Sequence, residues 1–187
     1  PHVLNDRWHV IANNDGWLVG DVHFQIAPNN LLEFSLGGSP DKLCTYVFTE
    51  GQWVHVAAVY SSISQTVLFY VDGNLINTET YPAPNTIAGG RPYSIGSWNG
   101  SDRFFNGKID ELRIWNTARS QSDIQNNMYT SVSPASPGLM AYFRFDEQSG
   151  STSFDLVTGI PANLNNNPQW VSSAAPLQSD PAITYTW

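Results

Sequence analysis

Apolar and polar residues alternate with a period of two along most of this chain, the pattern of strands that bury one face. In Val22-His23-Phe24-Gln25-Ile26 the apolar side chains fall on one face, with His23 and Gln25 on the other. Leu32, Phe34 and Leu36 alternate with Glu33 and Ser35 in the same way. The segments 52–61 and 65–71 carry apolar residues on both faces, which predicts central strands. Asp72-Gly73 then predicts a two-residue hairpin turn, because both central positions need positive φ, and 74–81 returns as a strand.

A Pro/Gly-rich connection over 82–92 leads to a short strand at 93–96, a polar loop at 97–103 and a strand over 107–115. Ser120 with Asp123 three residues on forms a capping box. It predicts one short helix at about 121–128, with Ile124 and Met128 on one face. A further strand runs over 139–146 with Leu139, Ala141, Phe143 and Phe145 aligned. Many short strands, tight turns and one helix predict an all-β fold, an antiparallel β-sandwich of jelly-roll type.

Composition narrows the function. Only 13% of residues are charged and the formal net charge is −8, with no cluster of Lys or Arg. That field repels a phosphate backbone, so nucleic acid is excluded as a partner. No stretch reaches the roughly 18 apolar residues of a membrane span, so membrane insertion is not expected. Cys44 is the sole cysteine, in an apolar run, and reads as a buried inert thiol. The chain begins at Pro1 and reads as an excised module of a secreted or cell-surface protein.

Three segments carry a family resemblance. The first is Gly51-Gln52-Trp53-Val54-His55-Val56-Ala57-Ala58-Val59-Tyr60 followed by Tyr70-Val71-Asp72-Gly73. The second is Ile95-Gly96, then Phe105-Asn106-Gly107-Lys108-Ile109-Asp110-Glu111-Leu112-Arg113-Ile114-Trp115 and Ala118-Arg119-Ser120. The third is Gly138-Leu139-Met140-Ala141-Tyr142-Phe143-Arg144-Phe145-Asp146-Glu147-Gln148-Ser149-Gly150. Together they resemble laminin G-like and pentraxin-like domains of the concanavalin A-like lectin/glucanase superfamily. The resemblance implies a concanavalin A-like sandwich. The strands with which the family usually opens are missing before Arg7, whereas the third segment often starts such domains. One domain over 1–187 is therefore expected, with 138–187 supplying the strands that close it.

The superfamily includes glucanases, whose chemistry rests on paired carboxylates. A retaining mechanism needs two carboxyls about 5–5.5 Å apart, supplied by alternate strand positions. Asp110-Glu111 and Asp146-Glu147 are adjacent pairs and point to opposite faces of a strand. Nucleophile elbow, zinc-protease and phosphate-loop motifs are absent as well. The expectation is a non-catalytic recognition module that binds carbohydrate or a glycoconjugate. A structural or protein-interaction module for an extracellular partner is the alternative, and a divergent polysaccharide hydrolase a further one.

Candidate ligand contacts are Trp98, Asn99, Asp102 and Arg103 in one loop, Asp15 and Trp17 in another, and His23 on the polar strand face. Indole rings stack on sugars, and the polar groups offer directed hydrogen bonds to hydroxyls. Asp110 shares a predicted strand face with Leu112 and Ile114, so its carboxylate needs a buried partner: a cation, an arginine or backbone N–H groups. The family resemblance implies a structural calcium at this aspartate, with Asp146 or Asp155 completing the set.

Overall fold

The structure, a computed structural model, describes residues 1, 7–14, 16–83 and 85–177. They fall into two compact units, residues 1–109 and 110–187. The first unit holds eight strands: β1 (His9–Asn14), β2 (Val22–Ile26), β3 (Leu31–Leu36), β4 (Lys42–Val47), β5 (Val56–Ser61), β6 (Thr66–Val71), β7 (Asn74–Thr80) and β8 (Tyr93–Ile95). They form a five-stranded antiparallel sheet in the order β4-β3-β2-β1-β8 and a three-stranded one in the order β5-β6-β7.

Alternation decides what lies between these sheets. Ile26, Leu32, Leu36, Cys44, Val67 and Phe69 are fully buried in one apolar cluster. Aromatic rings bridge the layers: Phe34 stacks on Tyr60 at 5.9 Å, and Tyr60 meets Tyr81 edge to face at 5.6 Å. Such ring pairs contribute roughly 0.5–1.5 kcal/mol beyond the area they bury. The Tyr81 hydroxyl donates to the Phe34 carbonyl at 3.2 Å, and burial raises its pKa. At the edges Asn77 joins β7 to β4, accepting from Thr45 N–H at 3.1 Å and donating to the Leu43 carbonyl at 3.0 Å. The predicted hairpin is present, with φ of 46° at Asp72 and 72° at Gly73 and Val71 opposite Asn74.

The second unit pairs β9 (Leu112–Trp115) with β10 (Leu139–Phe143) and holds helix α1 (Gln121–Asn127) and a small ladder of β11 (Thr152–Phe154) with β12 (Pro161–Asn163). The capping box stands as predicted: Ser120 Oγ accepts from Asp123 N–H at 3.1 Å and the Asp123 carboxylate accepts from Ser120 N–H at 3.1 Å. Arg113 donates to the carbonyls of Asn127 and Thr130, satisfying the helix end.

The predicted strands 107–115 and 139–146 are shorter than expected, and one physical reason covers both. Glu111 and Phe145 lie in the left-handed region, at φ of 53° and 58°, which no continuous strand tolerates. Glu111 is held there by its carboxylate, which accepts from Tyr142 Oη and Arg113 at 2.5 Å each. The alternation that would put Asp110 on the face of Leu112 and Ile114 is broken at that residue.

Candidate functional site

The polar face of the five-stranded sheet, which carries the candidate contact His23, is buried. Asn13 on β1, His23 and Gln25 on β2, and Glu33 and Ser35 on β3 are all at most 5% exposed. Register places His23 opposite Ser35 and Gln25 opposite Glu33. Buried polar side chains need partners, and Gln25, Glu33 and Ser35 supply one another. Gln25 Nε2 donates to Glu33 Oε1 at 2.6 Å, and Ser35 Oγ donates to the same oxygen at 2.5 Å.

Three tryptophans and an arginine roof this face. Trp17 lies against the His23 ring with centroids 4.5 Å apart, and Trp98 meets His23 at 5.8 Å. The Arg103 guanidinium lies over both Trp98 and Trp8, at 4.5 and 4.7 Å from their ring centres. Two such cation–π contacts are each worth about 0.5–2 kcal/mol, depending on how far water is excluded. Arg103 Nη1 also donates to Gln25 Oε1 at 3.3 Å and approaches His23 Nδ1 at 3.5 Å. Between roof and floor runs a cleft of about 210 Å³ that Asp41 also lines. Trp8 and Trp17 remain 40% and 45% exposed at its mouth.

Local sequence fixes both roof segments. Asn99 and Gly100 take φ of 51° and 62°, and Ser101 N–H closes the turn on the Trp98 carbonyl at 3.0 Å. Trp98 N–H bonds the Asp102 carbonyl at 2.8 Å, and the Asp102 carboxylate accepts from Arg103 N–H at 2.7 Å. Asn99 and Asp102 therefore shape the loop, while Trp98 and Arg103 line the cleft. In the other segment Asp21 is fully buried, accepts from Leu18 N–H at 2.7 Å and pairs with Arg91. The Gly16 carbonyl meets His23 Nε2 at 3.1 Å. Asp15 lies outside the described residues.

Backbone approach also positions Trp17. A Cβ at Gly37 would sit 2.0 Å from the Leu18 carbonyl oxygen, so only glycine lets the 16–21 loop lie down there. Gly37→Ala is expected to cost about 1–3 kcal/mol, the usual range for overpacking. It should also shift Trp17 fluorescence; thermal melts and emission spectra check both.

His23 donates Nε2–H to Gly16 and presents a bare Nδ1 to Arg103, which requires the neutral imidazole. Burial holds its pKa below the ordinary 6.5, and Arg103 acts the same way against the opposing Gly16 carbonyl, Glu33 and Asp21. A folded-state pKa below the unfolded one adds stability that is complete above pH 6.5 and is lost as pH falls through the folded value. Denaturant titrations at pH 7.5 and 5 should therefore show a smaller acid loss in His23→Gln than in the parent. His9, also held low by burial, contributes equally to both proteins.

The calcium set does not assemble. Asp155 spends its carboxylate on its own turn: Oδ1 accepts from Tyr142 and Val157 N–H at 2.9 and 3.0 Å, and Oδ2 from Thr158 Oγ1 at 2.5 Å. Asp146 pairs with Arg144 at 3.0 Å. Asp110 accepts from Ser173 Oγ, and burial raises its pKa, with Glu111 and Asp146 pushing the same way. Among the described residues no three His, Cys, Asp or Glu side chains converge as a metal site would require.

Trp8, Gln25, Glu33, Ser35 and Asp41 were not singled out from the sequence. The available signal was the run of hydrogen-bonding types at alternate positions of two adjacent strands, with no lysine or arginine among them.

An antiparallel sandwich with an aromatic-walled cleft on one sheet defines a lectin-like β-sandwich domain. The chain belongs to the concanavalin A-like lectin/glucanases superfamily, whose family model matches residues 1–125. Human pentraxin-4 is 25% identical over 130 residues, or 65% of this chain, and the chain spans only 25% of that relative. A Bacteroides ovatus protein described as a candidate carbohydrate-binding protein is 24% identical, with a TM-score of 0.67 over 83% of this chain and 50% of its own. A heptameric pentraxin from Limulus polyphemus, described as SAP-like, is 18% identical, with a TM-score of 0.53 over 65% of this chain and 63% of its own. Both structural likenesses establish the sandwich fold. No helix among the described residues is long and apolar enough to cross a membrane.

Proposed function

We propose that this chain is a non-catalytic, extracellular carbohydrate-recognition module that holds a sugar in the cleft between Trp8, Trp17, Trp98 and Arg103. The observation that carries this reading is the pairing of aromatic walls with a hydrogen-bonded polar floor. Sugar rings offer apolar faces to indoles and hydroxyls to fixed donors and acceptors. At about 210 Å³ the cleft is smaller than the roughly 300–1,000 Å³ of pockets for drug-sized ligands, which suits a single sugar ring. The Bacteroides likeness supports the same reading at the level of fold.

A glycan array, run with and without chelator, tests it. Retention of glycans is expected in both conditions, because Gln25, Glu33, Ser35 and Arg103 hold one another in place through their own hydrogen bonds. An unlabelled array would overturn sugar binding.

A protein-interaction role has one observation in its favour: Leu18 and Val19, beside Trp17, are 63% and 69% exposed. Leu18→Ser with Val19→Ser should leave glycan binding intact; lost glycan binding with unchanged folding would place recognition at this apolar tip. Hydrolysis would need a second role for Glu33, whose Oε1 already accepts from Gln25 and Ser35. Intact glycans after prolonged incubation are expected.

A further inference from the structure

We infer that the cleft selects an uncharged pyranose presenting two neighbouring hydroxyls and discriminates against acidic sugars; this rests on the sugar-binding reading above. Arg103 is fixed on three sides, by Trp8 and Trp98 on its faces and by Gln25 at Nη1. Its Nε and Nη2 edge has no hydrogen-bond partner among the described residues. Glu33 is fixed through Oε1, and its Oε2 has no hydrogen bond among the described residues.

Gln25 joins the two, donating to Glu33 and accepting from Arg103, so a donor edge and an acceptor oxygen are held in one network. One hydroxyl of a diol donates to the carboxylate while its neighbour accepts from the guanidinium. Neither group then has to be reorganised on binding, which is where affinity for a small ligand is gained. Both bonds involve a charged partner and are stronger than neutral ones.

Charge sets the selectivity. The cleft contains one cation, Arg103, against two carboxylates, Glu33 and Asp41, with His23 neutral. A uronate, sialate or sulfated ring would bring a third anion into that space, on a chain already carrying −8. Arg103 alone would welcome an anion, but its Nη1 is already held by Gln25, which in turn bonds the Glu33 carboxylate.

The test is calorimetric titration of the full chain with methyl hexopyranosides of gluco, galacto and manno configuration and with their matched uronates. At least one neutral glycoside is expected to bind, with its uronate at least tenfold weaker. Asp41→Asn, at an exposed position, should narrow that gap by several-fold, as should Glu33→Gln. A uronate that binds as tightly as its neutral parent overturns the selectivity and leaves the sugar site standing. Silence across the whole panel overturns the sugar site itself, and the selectivity with it.

Discussion

Replacing Arg103 by alanine should weaken glycan binding by at least about tenfold, or about 1.4 kcal/mol, while the folded state persists. Arg103 touches four of the side chains that line the cleft: two indole faces, Gln25 and His23. Without it the indoles lose the plane that separates them, and the cleft loses the one cation that lines it among the described residues. Most of the sandwich core lies elsewhere, between the sheets, so the melting temperature should move little. Arg103→Lys is the sharper variant. It keeps the charge, but an ammonium has neither the flat faces that match two indoles nor a fork of donors. Lysine should therefore recover little of the lost affinity. Full recovery would mean that charge alone, rather than the stacked geometry, is what the ligand reads.

Phe69→Ala should cost about 3–5 kcal/mol of stability. Phe69 sits on β6, the middle strand of the three-stranded sheet, and is fully buried in the core cluster. Removing its ring strips contacts from both layers, and a close-packed interior does not collapse to fill such a space. For a chain of this size the midpoint of thermal unfolding should fall by roughly 6–20 °C. Leu75 on β7 makes the comparison, since it is 44% exposed. Leu75→Ala should change stability by no more than about 0.5 kcal/mol. Calorimetric melts of both variants check the pair; equal losses would show that the core has been misplaced.

Strands β2, β3, β6 and β7, the Asp72-Gly73 turn and the Ser120 capping box were legible because each is written in neighbouring residues. Trp17, His23, Trp98 and Arg103 were picked out by their chemistry, and the fold brings these four to one cleft. What covers the polar face was not legible. His23 is buried by Trp98, which comes 75 positions later in the chain, and Glu33 accepts across the ladder from Gln25 through Oε1. A period-two pattern tells which face is polar, not whether water reaches it. The break at Glu111 is of the same kind: the sequence continues to alternate, yet Tyr142 and Arg113 hold the carboxylate where the backbone must turn left-handed. Asp155 looked available to a cation because a turn that consumes both carboxylate oxygens leaves no periodic mark.

The indole N–H resonances give the most direct measurement. Trp8, Trp17 and Trp98 wall the cleft, whereas Trp53, Trp115 and Trp170 do not line it. Titration with a neutral methyl hexopyranoside, followed in ¹H–¹⁵N correlation spectra, should move the first three signals together along one binding curve and leave the others in place. Shifts centred on Trp115 or Trp170, with the Trp17 and Trp98 signals still, would contradict a sugar site on this sheet.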